Sequence, residues 1–288
     1  MAELRRAVIT AGGPWTRLDV VDSTGSTNDD LVAAARAGEP EGRVLVAEHQ
    51  RAGRGRSGRR WVSPPRAGLA VSVLLRPGTP GGGTADRAGP PSPGAGSPGG
   101  SAGVPTSRWG WLPMLAGVAL VEAVGRVTGL DPALKWPNDV LVDGRKCAGI
   151  LAEATGDAVV VGVGVNVTLR GDELPPVPPG APPATSLALA GAACTDRARL
   201  LRDLLDRLGS WYGRWRDAAG DADRCGLRAA YLAVCDTVGR AVRVQLPGGG
   251  ELVGRAETVD ADGRLLVVDG SGRRTAVAAG DIRHVRSG

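Results

Sequence analysis

The stretch LKWPNDVLVDGRKCAGILAE, residues 134–153, contains the pattern from which the fold can be predicted. Its apolar runs VLV and CAGIL favour β-strands, and VDGRK between them is typical of a tight hairpin turn. Before the first strand, Pro137 disfavours helix, and Asn138 and Asp139 are residue types that favour turns. The hairpin is therefore expected to bring Lys146 back toward the WPND corner.

Lys135 and Lys146 are the only lysines of the chain, although lysine and arginine together number 35. Asparagine is similarly rare and occurs only at positions 28, 138 and 166. In a chain this rich in alanine, glycine and arginine, the lysines and asparagines that persist indicate positions where exchange is costly. Because an ammonium group is a compact point charge, Lys146 is a candidate for holding a phosphate or a developing oxyanion. The alternative is a plain charge at an exposed turn.

The segment AEHQRAGRGRSGRRWVSP, residues 47–64, interleaves glycine with arginine. Glycine lets the backbone approach a ligand closely, and guanidinium groups supply paired donors to phosphate, so we expect an anion-closing loop. The alternative is a solvated Arg-Gly tract that binds RNA without specificity. The segment lacks the G-x-x-x-x-G-K-[ST] pattern of a nucleotide P-loop and the G-x-G-x-x-G pattern of a dinucleotide site.

Two further segments place polar residues where elements begin or end. In DSTGSTNDD, residues 22–30, one of residues 26–28 is expected to cap a helix that stops at Gly38, and such a terminus also attracts polar ligand groups. VGVGVNV, residues 161–167, reads as an apolar strand that ends in Asn166. The amide of Asn166 either binds an adenine edge or a cation, or satisfies backbone groups of the following loop.

The remaining pattern predicts a sheet flanked by helices and then a small β domain. Predicted helices cover 28–38, 109–129 and 196–219, and predicted strands cover 43–50, 69–76, 146–153 and 158–167. Residues 78–107, rich in Gly, Pro, Ser and Ala, are expected to be a disordered insertion, and 175–183 a proline-rich surface loop without an assigned role. Short strands between turns predict a β-barrel over 237–288, after a first domain over 1–236.

Composition indicates a globular protein, because 42% of the residues are hydrophobic and no uninterrupted run of about 18 apolar residues occurs. The N-terminus lacks the apolar core of a secretory signal, so a cytoplasmic location is expected. The four cysteines show no metal-binding spacing, which predicts free thiols, although a Cys225–Cys235 disulfide is conceivable. The net charge of +5 comes from arginines scattered among acids. A basic, non-catalytic nucleic-acid-binding adaptor is nevertheless the competing class of function.

Taken in order, these segments resemble the biotin protein ligases. The matching motifs are GSTN (25–28), HQRAGRGRSGRRW (49–61), KWPNDV (135–140), GRKCAGIL (144–151) and GVGVN (162–166), followed by the small C-terminal domain. Lipoate ligases are similar in fold but typically carry an R-R-x-x-G-G-G-x-V-x-H-D segment, which is absent here. The resemblance implies an α+β fold: a mixed sheet with flanking helices, of the class II aminoacyl-tRNA synthetase-like biotin/lipoate ligase type, plus a C-terminal SH3-like β-barrel.

The resemblance also implies an activity. An ATP-dependent ligase of this family makes biotinyl-5′-AMP from biotin and ATP, with Mg²⁺ held by the ATP phosphates rather than by a dedicated protein cage. It then transfers biotin to a lysine of a biotin carboxyl carrier protein domain of an acyl-CoA carboxylase. A lipoate or octanoate ligase is the related alternative. The expected chain is a monomer or weak homodimer without membrane association or specific DNA binding, because the motifs start too early for a preceding helix-turn-helix.

By position, the resemblance assigns roles to individual residues. Those expected to bind biotin or adenylate are Ser26, Thr27, Asn28, Gln50, Arg54, Gly55, Arg56, Arg59, Lys146 and Gly149. Those expected on the nucleotide and Mg²⁺ side are Asn138, Asp139 and Asn166. Arg56, Lys146 and Asp139 are the expected catalytic residues. The two cations would neutralise the reacting anions, and Asp139 would deprotonate the acceptor lysine.

Overall fold

The computed structural model describes residues 2–79, 103–177, 181–246, 249–278 and 280–284. Within them the helices are α1 Ala2–Val8, α2 Thr27–Arg36, α3 Leu112–Thr128, α4 Arg197–Asp217 and α5 Leu227–Val234. The strands are β1 Arg17–Val21, β2 Arg43–Ala47, β3 Gly68–Leu75, β4 Pro132–Lys135, β5 Asp139–Val142, β6 Arg145–Thr155, β7 Ala158–Asn166, β8 Ala241–Gln245, β9 Glu251–Val259, β10 Leu265–Val268, β11 Arg274–Val277 and β12 Asp281–His284.

Seven strands form one mixed sheet in the order β1-β2-β3-β7-β6-β5-β4. Strands β1 and β2 are parallel, and every other neighbouring pair is antiparallel. Helix α2 covers one face with a small core around Leu31, which packs with Leu74 and Val160. Helices α3 and α4 pack on the other face around the larger core. The predicted mixed sheet with flanking helices is confirmed.

Helix α3 is buried on nearly all sides, with Leu115 and Leu120 at 0% exposure. Together with the preceding 3-10 turn it forms a helical stretch, Thr106–Thr128, that is long and apolar enough to cross a membrane by length and composition alone. In the folded chain, 72% of an apolar 18-residue segment of this stretch is buried inside the protein. This burial is typical of a core helix.

The hairpin that joins β5 to β6 forms as the sequence predicts. Asp143 and Gly144 have φ angles of 50° and 70°, which are the left-handed values that a type I′ turn requires at both central positions. The Trp136–Pro137 peptide bond before this hairpin is cis. The turn sets Lys146 beside Leu141 in the register of the two antiparallel strands. The start of β6 therefore lies next to β5, which follows the WPND corner.

The predicted disordered insertion is too long at its C-terminal end. Val104 is 2% exposed, its N–H donates to Pro77 O at 2.8 Å, and a 3-10 helix begins at Thr106. An apolar side chain buried in the core fixes this segment, so residues 103–107 belong to the folded domain. At the other end, Gly78 and Thr79 are also described, and Thr79 N–H donates to Arg76 O at 3.2 Å. The rest of the prediction, over 80–102, lies outside the described residues.

The C-terminal strands form a separate five-stranded antiparallel sheet in the order β11-β10-β9-β8-β12. Its outer strands β11 and β12 form no ladder with each other among the described residues, so the structure shows an antiparallel sheet rather than a closed barrel. Trp111 Nε1 donates to Ala261 O at 2.8 Å and Trp136 Nε1 donates to Gly263 O at 3.4 Å, which joins this sheet to the first domain. The boundary at residues 236 and 237 stays a prediction.

Candidate active site

A cavity of about 330 Å³ opens over strands β3, β7 and β6 beside the N-terminus of α2. Every residue that the sequence assigns to the site lines it: Ser26, Thr27, Asn28, Gln50, Arg54, Gly55, Arg56, Arg59, Asn138, Asp139, Lys146, Gly149 and Asn166. The segments that carry these residues are far apart in sequence. The sheet order brings them together, because β6 and β7 are neighbours and β5 lies beside β6.

Lys146 lies close to the WPND corner, as the hairpin predicts. Its Nζ is 2.5 Å from Asp139 Oδ1, and the two side chains are 29% and 15% exposed. The ammonium also lies 5.8 Å from the centroid of the Trp61 ring. A half-buried, paired ammonium inside a cavity differs from the solvated turn charge that was the alternative for Lys146. The pair leaves further ammonium donors for a ligand oxygen.

Arg56 and Asn138 form a second polar pair. Arg56 Nη1 donates to Asn138 Oδ1 at 3.2 Å, and Asn138 Nδ2 donates to Ile150 O at 2.7 Å. Both ends of the Asn138 amide are therefore bonded within the protein. This arrangement ties the glycine- and arginine-rich loop to the β5–β6 hairpin and holds Arg56 in the lining of the cavity that Lys146 also lines.

The remaining loop residues form a small hairpin of their own. Gly55 N–H donates to Arg59 O at 2.7 Å, and Arg54 and Arg60 form an isolated bridge. Arg59 Nε donates to Arg56 O at 3.2 Å. Arg54 is ion-paired with Asp29 and with Glu153, the latter at 2.6 Å. We call residues 51–60 the Gly-Arg loop.

Trp61 lines the cavity, although no role was assigned to it from the sequence. A Cβ atom at Gly164 would lie 2.5 Å from its ring, and one at Gly149 would lie 3.2 Å from it. Gly149 and Gly164 are partners in the β6–β7 register, so two adjacent glycines make room for the indole. The signal in the sequence was the alternation of small residues at 162 and 164, which share one strand face with Asn166.

The N-terminus of α2 supplies the polar end of the cavity. Ser26 caps the helix by accepting the Asp29 N–H at 3.4 Å. Gln50 Oε1 accepts the Thr27 N–H at 2.8 Å and lies 3.0 Å from Thr27 Oγ1. Ser72, which sequence reasoning missed, is fully buried beneath them. Its signal was a single polar residue inside an otherwise apolar strand.

The proline-rich loop, which had no assigned role, contributes one wall of the cavity. Pro175, Pro176, Val177, Ala181 and Pro182 line it among the described residues of the loop. Where the loop returns to the sheet, Lys146 N–H donates to Pro183 O at 2.8 Å and Thr185 N–H donates to Lys146 O at 2.9 Å.

Asn166 is held by the chain that follows the proline-rich loop. It is 4% exposed, and its Nδ2 donates to Thr185 O at 3.0 Å. This bond fixes the amide orientation and leaves the side-chain oxygen as its acceptor group.

The titratable groups indicate what the site can do chemically. Burial raises the pKa of the Cys147 thiol to about 12, so the thiol next to Lys146 stays protonated and is a poor nucleophile. All four cysteines are free thiols, as predicted. Within the described ranges no group of three or more His, Cys, Asp or Glu side chains could hold a metal ion. Lys146 and Arg56 in the lining of the cavity offer cations and hydrogen-bond donors for anionic ligands.

Two family descriptions match the chain. The Biotin/lipoate A/B protein ligase family matches residues 20–86 and 110–167, which carry α2, the Gly-Arg loop and the β5–β6 hairpin. The Biotin protein ligase C terminal domain matches residues 237–285, which carry the second sheet.

Proteins of similar sequence and structure agree with these matches. The chain is 42% identical over 287 residues to the biotin–[acetyl-CoA-carboxylase] ligase of Mycobacterium tuberculosis, which covers 98% of this chain and 94% of that protein. It is 32% identical over 192 residues to the bifunctional ligase/repressor BirA of Bacillus spizizenii, covering 65% of this chain and 50% of that protein. The structure of the biotin protein ligase from Aquifex aeolicus in complex with biotin and ATP has a TM-score of 0.71 at 23% identity and covers 94% of this chain and 100% of that chain.

Proposed function

Because this chain belongs to the biotin protein ligase family, we propose that it attaches biotin to protein in two steps. In the first, a biotin carboxylate oxygen attacks the α-phosphorus of ATP, the bond to the β-phosphate oxygen breaks, and pyrophosphate leaves. In the second, the amine of an acceptor lysine attacks the carbonyl carbon of biotinyl-5′-AMP. AMP leaves with the electron pair, the amine loses a proton, and an amide is formed.

The observation that carries this proposal is the position of Lys146 and Arg56 within one cavity. Both reactants of the first step are anions, and their approach requires cations around the reacting oxygens. Asp139 holds the Lys146 ammonium at 2.5 Å and Asn138 holds the Arg56 guanidinium at 3.2 Å. These fixed charges would need little rearrangement when negative charge moves toward the leaving pyrophosphate.

The rest of the cavity fits the two ligands. The polar end formed by Thr27 and Gln50 suits the ureido ring of biotin, since it offers hydroxyl and amide groups that both donate and accept. Trp61 lies over the glycine pair and would separate this end from water together with the Gly-Arg loop. Exclusion of water matters because a mixed anhydride hydrolyses readily.

Mg²⁺ would enter with the phosphates of ATP. It prefers oxygen ligands and usually keeps few protein ligands in nucleotide sites. Asp139 and Asn166 line the cavity and carry oxygens of that kind, so the donor set fits the ion. Bound there, Mg²⁺ would neutralise phosphate charge, while Lys146 and Arg56 hold the carboxylate and the α-phosphate.

The acceptor is expected to approach from the junction of the two domains. A second cavity of about 440 Å³ is lined by Trp136 and Gly263 from the two parts of the chain, and it shares Arg56 and Asn138 with the first. An acceptor lysine entering here would approach the reacting carbonyl beside Arg56 and Asn138, which line both cavities. Asp139 is the carboxylate available to take its proton. We infer that the acceptor is a biotin carboxyl carrier domain in the cytoplasm and that the C-terminal sheet curls as an SH3-like barrel.

The proposal is tested by biotin-dependent exchange of labelled pyrophosphate into ATP by the purified chain. We expect exchange with biotin and Mg²⁺, and little exchange with lipoate or octanoate in place of biotin. A second assay measures transfer of biotin to a carrier domain. Absence of exchange with biotin would refute the proposed function, and preference for lipoate or octanoate would assign the chain to the related ligases instead.

A further inference from the structure

A buried row of polar side chains lies beneath the cavity, between α2 and the sheet. Ser72 is fully buried, and its Oγ lies 2.7 Å from Thr27 Oγ1 and 2.6 Å from Asn28 Oδ1. Asn28 is 4% exposed, and its Nδ2 donates to Glu153 Oε2 at 2.8 Å and to Leu151 O at 3.3 Å. A Cβ atom at Gly162 would lie 2.1 Å from Asn28 Oδ1, so the strand leaves a space for this amide.

The donors in this row can be ordered by what each atom can do. Asn28 Oδ1 only accepts, so the Ser72 hydroxyl donates to it. Ser72 Oγ can then accept the hydroxyl proton of Thr27, which also lies 3.0 Å from Gln50 Oε1. The Thr27 proton thus has two competing acceptors, one in the ligand cavity and one in the buried row. A ligand N–H that donates to Gln50 Oε1 favours donation by the Thr27 hydroxyl to Ser72 Oγ instead. The side chains from Thr27 through Ser72 and Asn28 to Glu153 then form one continuous hydrogen-bonded row.

The other end of the row reaches the Gly-Arg loop. Glu153 uses one carboxylate oxygen for Asn28 and the other for Arg54 Nη2 at 2.6 Å. Arg54 is also paired with Asp29, and the hydrogen bond to Asp29 together with nearby carboxylate charge raises the pKa of its guanidinium. Glu153 is 21% exposed, whereas Arg54 and Asp29 are about half exposed. The contact with Glu153 is therefore the less screened of the two.

We propose that Glu153 is a positioning residue that couples occupation of the Thr27–Gln50 end of the cavity to closure of the Gly-Arg loop, acting through Asn28 and Ser72. This inference rests on the proposed function, since the ligand whose N–H occupies Gln50 is taken to be the ureido group of biotin. Asn28 then acts inside the row as a link between ligand and loop. The Gly-Arg loop would then close in response to a ligand bound at the Thr27–Gln50 end of the cavity, before the reactive anhydride forms.

Glu153→Gln separates the two contacts of the carboxylate. The amide oxygen of glutamine still accepts from Asn28, while the ion pair with Arg54 is lost. We expect the KM for biotin in pyrophosphate exchange to rise about tenfold and kcat to stay within about twofold. The variant loses the charged hydrogen bond from Arg54 that holds the loop closed, whereas Lys146 and Arg56 stay in place. Hydrogen–deuterium exchange of residues 51–60 should slow on adding biotin to the unmodified chain, and should slow much less in the variant.

Ser72→Ala cuts the row in its middle and leaves the Glu153–Arg54 ion pair intact. We expect the same rise in KM and the same loss of protection by biotin. Asp157→Asn is the matched control: it removes the Arg76–Asp157 ion pair of the same sheet, away from the cavity, and should change neither readout. Thermal unfolding of each variant identifies any loss of fold.

The outcomes separate the two levels of the proposal. No biotin-dependent exchange in the unmodified chain refutes the function. Normal exchange there, with Ser72→Ala showing full protection of residues 51–60 by biotin, overturns the coupling and reduces Glu153 to a static anchor of the loop. Equal behaviour of Glu153→Gln and the Asp157→Asn control overturns the role of Glu153 itself.

Discussion

Lys146 is confined on three sides. Asp139 holds its ammonium at 2.5 Å, the Trp61 ring lies 5.8 Å away, and a Cβ atom at Gly149 would lie 3.4 Å from Nζ. This space fits a linear side chain that ends in a compact charge. A planar guanidinium is wider and directs its donors in a fixed fork, so it would have to displace the indole or leave the carboxylate.

We therefore expect Lys146→Arg to lower kcat for pyrophosphate exchange about a hundredfold or more, even though the charge is kept. Arg145→Lys is the control, since it exchanges the same two residue types one position earlier, at the exposed first residue of β6, and should be nearly neutral. Steady-state exchange kinetics of both variants check the prediction. Near-normal exchange by Lys146→Arg would contradict the role of a positioned ammonium.

At the scale of elements, the strand pair β6–β7 carries the site. Gly164 faces Gly149 in its register, and both face the Trp61 ring. Gly164→Ala would place a Cβ atom 2.5 Å from the Trp61 ring. The backbone of β7 cannot move to relieve this clash, because β7 is paired with β3 on one side and with β6 on the other. The indole must shift, and the Gly-Arg loop that ends at it must shift too.

We expect Gly164→Ala to weaken biotin binding about tenfold, which corresponds to the usual cost of overpacking a well-filled site. Gly171→Ala is the control, because a Cβ atom at Gly171 meets nothing within 4 Å. Titration calorimetry with biotin measures both. Unchanged affinity for biotin in Gly164→Ala would show that biotin binding does not depend on the position of the Trp61 ring against β6 and β7.

The elements that could be predicted from sequence are those fixed by local pattern. The β5–β6 hairpin follows from an Asp-Gly turn, and with it the approach of Lys146 to Asp139. The boundaries were less exact: the strand predicted to Gln50 ends at Ala47, because Gln50 pairs only through an isolated bridge with Thr24. The contacts of Trp61 with Gly164 and of Ser72 with Asn28 depend on the order of strands in the sheet. No spacing within one segment encodes that order.

At the scale of the whole molecule, one hydrogen-bonded cluster joins the WPND corner to the C-terminal sheet. Trp136 N–H donates to Thr237 Oγ1 at 3.0 Å, and Thr237 Oγ1 lies 3.1 Å from His284 Nε2. Asp236 Oδ2 is 3.7 Å from His284 Nδ1. Lys135 is 7% exposed and close enough to disfavour a second positive charge here. The second lysine of the chain thus belongs to the domain junction.

This cluster predicts how stability depends on pH. Burial, followed by the charge of Lys135, lowers the pKa of His284 from 6.5 to about 4, against the opposing effect of Asp236; Arg240 adds to the lowering. As pH falls below 6.5 the unfolded chain binds a proton at this histidine before the folded chain does, so the free energy of unfolding decreases until the pH reaches about 4. Between pH 6.5 and 5 the loss amounts to about 2 kcal/mol.

His284→Asn should remove this part of the pH dependence, since asparagine does not titrate, while the carboxylates that titrate in both chains cancel from the difference. Urea unfolding at pH 7 and pH 5 of the unmodified chain and the variant measures it. The unmodified chain should lose about 2 kcal/mol more than the variant. Equal losses in the two chains would mean that the folded chain protonates His284 as readily as the unfolded chain does, and that the pKa of His284 is not lowered by folding.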